Sequence, residues 1–257
     1  MSQPSPQFLT APNGDRIAYI AHQQSSTRPG VMFCGGFMSD MEGSKALALQ
    51  DHCAANGLNF VRFDYHGHGA SDGVFAEGTI SRWTTSALAV LDQLTHGPQI
   101  VIGSSMGGWI ALRLILQRAG RIKGMIGIAA APDFVDRMWK DELSEEARQA
   151  IMKQGYVDIP SDYGPDPYRF TKDLIMDGRA SRVLNRLHGI TCPVRLIQGL
   201  EDPDVPWPTA LDLADRLVNS DVDLTLVPGG DHRLSEPTDI ARLLRTLDGL
   251  VAEVEQG

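Results

Sequence analysis

Cysteine is scarce in this 257-residue chain: Cys34, Cys53 and Cys192 are odd in number, widely spaced and without a CxxC pair. That pattern argues against a disulfide framework and against a structural zinc site, so the thiols are expected to be small buried hydrophobes in a reducing compartment. Positive charge is also short. With 23 Lys and Arg against 32 Asp and Glu, the net charge of −9 disfavours nucleic acid and anionic membranes as partners. No run approaches the ~18 apolar residues of a membrane span, so stable membrane insertion is not expected. The opening stretch MSQPSPQFLTAPNGDRIAYI has neither the basic start and apolar run of a secretory signal nor the Arg-rich amphipathic character of a transit peptide. These absences point to a soluble cytoplasmic protein.

What is present is a core. At 42% hydrophobic residues the chain can bury one large interior, and a single domain over residues 1–257 is expected. Phe8 to Ala11 and Ile17 to Ile20 flank Asn13-Gly14, a dipeptide suited to the positive backbone angles of a tight hairpin turn. Short apolar runs then recur at Gly30 to Phe33, Asn59 to Phe63, Ile100 to Gly103, Gly124 to Ala129, Pro193 to Gln198 and Val222 to Val227. Between most of them lie segments of helical periodicity, such as Ile80, Trp83, Ala87, Leu91 and Leu94 at three- and four-residue steps. Apolar strands alternating with helices predict an α/β fold, a mostly parallel central sheet with helices on both faces. In such sheets ligands bind beyond the carboxyl ends of the strands.

From about Asp133 to Leu187 the alternation stops, with no strand-like run. The helix candidate SEEARQAIMKQG, the proline- and tyrosine-rich DIPSDYGPDPYRF and the short helix TKDLIMDG are too long for a simple connection. This segment is read as an inserted helical cap over the strand ends, whose Trp139, Tyr156, Tyr163, Tyr168 and Phe170 either wall an acyl pocket or form the cap's own small core.

The chemistry gathers after the strands. Gly103, Ser105 and Gly107 form G-x-S-x-G between a strand and the helical run WIALRLILQ, the setting of a nucleophile elbow that pushes one hydroxyl out of the fold. A serine needs a base, and the base needs an orienting acid. GLEDPDVP offers Glu201, Asp202 and Asp204 after one strand, and GGDHR offers Asp231 and His232 after another. The order serine, acid, histidine is that of a hydrolase on an α/β sheet. Donors for a developing oxyanion would be the backbone N–H of Met106, at the helix start, and that of Phe37, in the glycine-containing loop CGGFMSDMEGSKA. The cluster Asp64, His66, His68 and Asp72 in FDYHGHGASDG invites a metal, but a glycine-rich run lacks the rigid spacing of a metal site. A turn packed beneath the elbow is the better reading.

Taken together, GFMSDMEGSKALAL, RFDYHGHGASDG, GPQIVIGSSMGGW, CPVRLIQGLEDPDVPW and DHR resemble the α/β-hydrolase superfamily. Within it they resemble the branch of the animal mitochondrial S-depalmitoylase and acyl-glucuronide esterase with its bacterial relatives, over about Gly36 to Val251. The resemblance implies Ser105 as nucleophile, His232 as base and, through G-x-x-D-x-x-V-P, Asp202 as the acid. It implies a serine hydrolase of carboxylic esters or thioesters working through an acyl-enzyme, with no cofactor or metal and with activity falling in acid as the imidazole is protonated. Small-molecule esters or acyl thioesters, and acylated proteins among them, are the expected substrates. A short-chain carboxylesterase fits the same residues. A noncatalytic ligand-binding protein on this fold would keep the pocket and lose the triad.

Overall fold

The structure, a computed structural model, describes residues 4–24, 27–160 and 167–256. The chain opens with β1 (Gln7–Thr10) and β2 (Arg16–His22), paired antiparallel as expected. Their turn differs from the expected one. Gly14 N–H donates to Ala11 O at 2.9 Å and only Gly14 takes a positive φ, +88°, so Pro12 and Asn13 form the body of a wider turn that the glycine closes. Proline's fixed φ selects this form.

Next come β3 (Gly30–Cys34), α1 (Ser44–Ala55), β4 (Phe60–Phe63), α2 (Ile80–Leu94), β5 (Gln99–Ser104), α3 (Met106–Gln117) and β6 (Ile122–Ile128). After an intervening segment, the chain resumes with β9 (Val194–Gly199), α7 (Pro208–Arg216), β10 (Val222–Val227) and α8 (Pro237–Gln256). Among the described residues the main sheet has eight strands in the order β1-β2-β4-β3-β5-β6-β9-β10. All pairings from β4 through β10 are parallel, and β2 meets β4 antiparallel.

Strand alternation divides the core in two. Val31, Phe33, Ile100 and Ile102 face α1 and α8, where they meet Leu49, Leu247 and Leu250. Met32, Cys34 and Val101 face the other way and join Trp83 of α2 and Trp109 of α3. Both tryptophans are fully buried, and at ~25 cal/mol per Å² each contributes about 4–6 kcal/mol before entropy is subtracted. The expected helix over Ile80 to Leu94 is present, capped by the Thr79 hydroxyl, which accepts from Arg82 N–H at 3.2 Å. The chain steps from β3 to β4 on one side and then to β5 on the other, so the switch point of the sheet lies between the loops that follow β3 and β5.

The segment between β6 and β9 holds α4 (Phe134–Arg137), a π-helical turn (Met138–Glu142), α5 (Glu145–Gln154), β7 (Tyr156–Ile159), β8 (Tyr168–Thr171), α6 (Lys172–Ala180) and a 3₁₀ segment (Leu184–Gly189). The two strands correct the expectation of a purely helical insertion. They pair antiparallel, Tyr156 opposite Thr171 and Ile159 opposite Tyr168. Gly155, at φ +94°, ends α5 and turns the chain into β7. The two ends of the segment are fastened together: buried Asp133, in the left-handed region at φ 55°, accepts the N–H groups of Val183 at 2.8 Å and Leu184 at 3.2 Å. Cys34 and Cys53 are buried, and burial pushes both thiols up to about 12, in keeping with their expected role as small hydrophobes; Cys192 departs from that expectation in being only partly buried.

Candidate active site

Ser105 sits between β5 and α3 with φ 53° and ψ −120°, a conformation that costs an ordinary residue of the order of 1–3 kcal/mol. The surrounding backbone enforces it. Ser105 N–H donates to Ile128 O at 2.9 Å, and its own carbonyl accepts from Gly108 N–H at 2.8 Å and Ala131 N–H at 3.1 Å. The two glycines of the motif are required by space: a Cβ on Gly103 would stand 2.3 Å from Gly107 O, and one on Gly107 would stand 2.1 Å from Cys34 O. Strand, helix and the end of β3 therefore touch through backbone alone, and the Ser105 hydroxyl is left facing a cavity.

His232 and Asp202 arrive on the loops after β10 and β9. Those loops meet closely because a Cβ on Gly199 would lie 2.2 Å from Gly230 O, and they are stitched by Glu201 N–H to Gly230 O at 3.0 Å. His232 Nε2 lies 3.1 Å from Ser105 Oγ, and Nδ1 lies 2.9 Å from Asp202 Oδ2. A carboxylate can only accept, so Nδ1 carries the proton and Nε2 presents its lone pair to the Ser105 hydroxyl. The other carboxylate oxygen, Oδ1, accepts from Asp204 N–H at 2.9 Å and Val205 N–H at 2.8 Å, and Oδ2 also accepts from the Gln198 amide at 3.0 Å. Burial alone would raise the Asp202 carboxyl. The hydrogen bond and charge of His232, with the two backbone donors, outweigh burial and hold it below the usual carboxylate range. Of the three acids left open by sequence, Glu201 and Asp204 are exposed and Asp202 is the one that meets the imidazole.

Phe37 and Met106 both border the cavity at Ser105. Met106 is the first residue of α3, so its N–H has no acceptor within the helix, and the helix N-terminus adds a partial positive charge there. The loop after β3 comes close enough that a Cβ on Gly36 would be 3.6 Å from Ser105 Cβ. The Phe37 ring has a separate part that its backbone gave no hint of. It stacks on Phe170 at 5.3 Å and meets Phe75, Trp83, Phe134 and Tyr168 edge-on, joining the sheet domain to the inserted segment.

The cavity has a volume of about 660 Å³. Met138, Leu143, Ile159, Tyr168 and Phe170 of the inserted segment contribute to its lining, together with Lys45 of α1 and Asp40, Asp204 and Arg233 of the strand-end loops. Of the aromatic residues singled out from sequence, Tyr168 and Phe170 face this space. Trp139 instead packs on the core with Arg179 over its ring, and Tyr156 is exposed with Arg169 over its ring; Tyr163 lies outside the described residues.

The FDYHGHGASDG stretch supports the loop after β3 more than the elbow. Asp64 accepts the N–H groups of Met41 at 2.7 Å and Ala70 at 2.8 Å, and buried Arg62 donates to Met41 O at 2.6 Å. Its acids and histidines do not converge: His66 Nδ1 faces Asp15 at 3.3 Å, His68 is packed among Tyr65, Phe75 and Trp83, and Asp72 pairs with exposed Arg16 at 3.2 Å. Burial pushes the His68 imidazole down to about 4, so it is neutral at ordinary pH. Asp202, Asp204 and His232 bring ligand atoms within 4.8 Å of one another, but the Asp202 oxygens are already engaged by protein donors.

Comparison with known proteins agrees with this architecture. The family model described as serine aminopeptidase, S33, matches residues 25–160. The mitochondrial palmitoyl-protein thioesterase ABHD10 of Mus musculus is 40% identical over 241 residues, which is 93% of this chain and 81% of that protein. A solved structure from Agrobacterium vitis S4 superposes with a TM-score of 0.91 at 43% identity, covering 97% of this chain and all (100%) of that one. The structure of the mouse α/β hydrolase domain-containing protein 10 gives 0.89 at 38% identity, covering 98% and 100%. The mouse relative is mitochondrial by name, and the expectation of a cytoplasmic protein is withdrawn on that finding. The eight-stranded, mostly parallel sheet and these relatives lead to one conclusion: the chain belongs to the α/β-hydrolase family and is a hydrolase of the ester and thioester class.

Proposed function

We propose that this hydrolase opens acyl thioesters, including those of acylated proteins, through an acyl-enzyme on Ser105. The carrying observation is the unbroken chain from Ser105 Oγ to His232 Nε2 at 3.1 Å and from His232 Nδ1 to Asp202 Oδ2 at 2.9 Å. His232 takes the Ser105 proton as Oγ attacks the carbonyl carbon, and Asp202 holds the tautomer and the imidazolium that forms. The N–H groups of Phe37 and Met106 receive the oxyanion, each donor lowering the barrier by roughly 3–4 kcal/mol. Collapse breaks the C–S or C–O bond, the leaving thiol or alcohol takes the proton from His232, and a water activated by the same imidazole frees the acid. Residues 133–187 serve as a cap on a single-domain hydrolase, and their apolar side chains supply the wall against which an acyl chain lies. The palmitoyl-protein thioesterase activity in the mouse relative's name supports a long-chain thioester as substrate.

The test is turnover of acyl thioesters of increasing chain length beside short p-nitrophenyl esters, with Ser105→Ala as the blank. The expected result is a rate that rises with thioester chain length and a loss of at least about 10³-fold in Ser105→Ala. A preference for the short esters would assign the protein as a short-chain carboxylesterase. Failure of a fluorophosphonate to label Ser105 would favour a noncatalytic binding protein.

A further inference from the structure

Gln198 is fully buried on β9, four residues before Asp202, in a sheet position otherwise filled by apolar side chains. Its amide nitrogen has three acceptors around it: Asp202 Oδ2 at 3.0 Å, Val205 O at 3.0 Å and Gly199 O at 3.3 Å. Those neighbours fix which way the amide points, because turning it over would set its oxygen against three other oxygens. The cost of this orientation is visible at the other end, where Gln198 Oε1 is buried with no hydrogen-bond partner among the described residues. A buried carbonyl left unpaired is unfavourable, and a methionine or leucine here would avoid that. What glutamine supplies in return is the donor.

We infer that Gln198 is a positioning residue for the hydrolytic reaction, acting through Asp202; the inference rests on the reading of Ser105, His232 and Asp202 as a triad. An ionised carboxylate offers about four acceptor sites. Asp202 fills them with Asp204 N–H, Val205 N–H, His232 Nδ1–H and the Gln198 amide, and the last two share Oδ2. The amide therefore locks the carboxylate plane toward the imidazole. It also draws charge from the oxygen that holds His232, which moderates how strongly that oxygen stabilises the imidazolium. Because the same amide bonds Val205 O, it ties the far side of the acid loop to the strand.

The experiment compares kcat, KM and the pH dependence of kcat/KM for the wild type and Gln198→Met, each alone and combined with Asp202→Asn. Gln198→Met keeps the length and apolar bulk of the side chain and removes the donor. The expected result is a fall in kcat of about tenfold with KM little changed. Oδ2 becomes a stronger acceptor once the amide is gone, so the imidazolium is favoured and the acid limb of kcat/KM should move up by about half a pH unit. In the Asp202→Asn background the same replacement should cost little and move nothing, since the group it acts through has been changed. Gln198→Glu keeps the test open should Gln198→Met fail to fold: its carboxyl donates only when protonated, so its activity relative to wild type should rise as the pH falls.

A Gln198→Met enzyme with wild-type kcat and an unmoved acid limb would overturn the inference, as would an equal loss with and without Asp202→Asn. An Asp202→Asn enzyme as active as wild type would instead bring down the triad reading itself.

Discussion

Replacing Ser105 by glycine and, separately, by alanine isolates the strain stored at the elbow. Both variants lose the hydroxyl and its contact with His232 Nε2, so neither activity nor that hydrogen bond distinguishes them. They differ in how they tolerate φ 53° and ψ −120°. Alanine retains the Cβ and with it a penalty of about 1–3 kcal/mol, which glycine escapes. Against this, glycine frees the unfolded chain by about 0.4–1 kcal/mol. The balance leaves the glycine variant more stable by up to about 2.5 kcal/mol, reversing the order expected inside a helix, where glycine is worse by about 1 kcal/mol. Helix N-caps ordinarily favour glycine over alanine too, but they do so with an extended backbone, and here the Ser105 side chain makes no capping bond. Urea unfolding at equal m-value measures the difference directly, and in a thermal melt it corresponds to about 2–4 °C per kcal/mol for a chain of this size. An alanine variant equal to or more stable than the glycine variant would show that the backbone at Ser105 is relaxed.

Asp64, raised to about 6 by burial despite its two backbone donors, makes stability depend on pH in a defined direction. The folded state holds this proton more tightly than the unfolded chain, so the contribution of Asp64 is most favourable below the unfolded value of 3.8 and declines as pH rises to about 6. The stability of wild type relative to Asp64→Asn should drop by up to about 3 kcal/mol across that window, followed by denaturant unfolding at several pH values; a constant difference would refute it. Phe37→Ala keeps the backbone N–H and removes the ring that stacks on Phe170 at 5.3 Å. It should cost about 2–4 kcal/mol in a melt and raise KM more than it lowers kcat, whereas a selective loss of kcat would mean that the ring orients the backbone N–H proposed as an oxyanion donor.

Local patterns were the legible ones. Strand alternation at Val31, Met32 and Phe33, the three- and four-residue steps of α2 and the spacing about Ser105 each depend on a few neighbouring residues, and the fold realises them. Composition alone could not choose among Glu201, Asp202 and Asp204, because the choice depends on which carboxylate a loop 30 residues away comes to meet. Strands β7 and β8 escaped notice because each has four residues and, Phe170 apart, no buried apolar position, too short a signal to separate from loop. Gln198 was hidden for a different reason: a polar residue at a strand's end looks like an exposed one until the acid loop folds back over it. Location was misjudged for want of any local signal in the described part of the fold, and relatives supplied the correction.

The clasp that Asp133 makes on Val183 and Leu184 has a consequence for engineering. Entry and exit of the 50-residue excursion are held to each other at its base, so the two anchor points stay together whatever sequence joins them. A graft of different length or sequence inserted between those anchor points would keep the clasp, but it would also have to supply rings where Phe170 and Tyr168 now meet Phe37, so a redesign of substrate range by exchange must restore that contact.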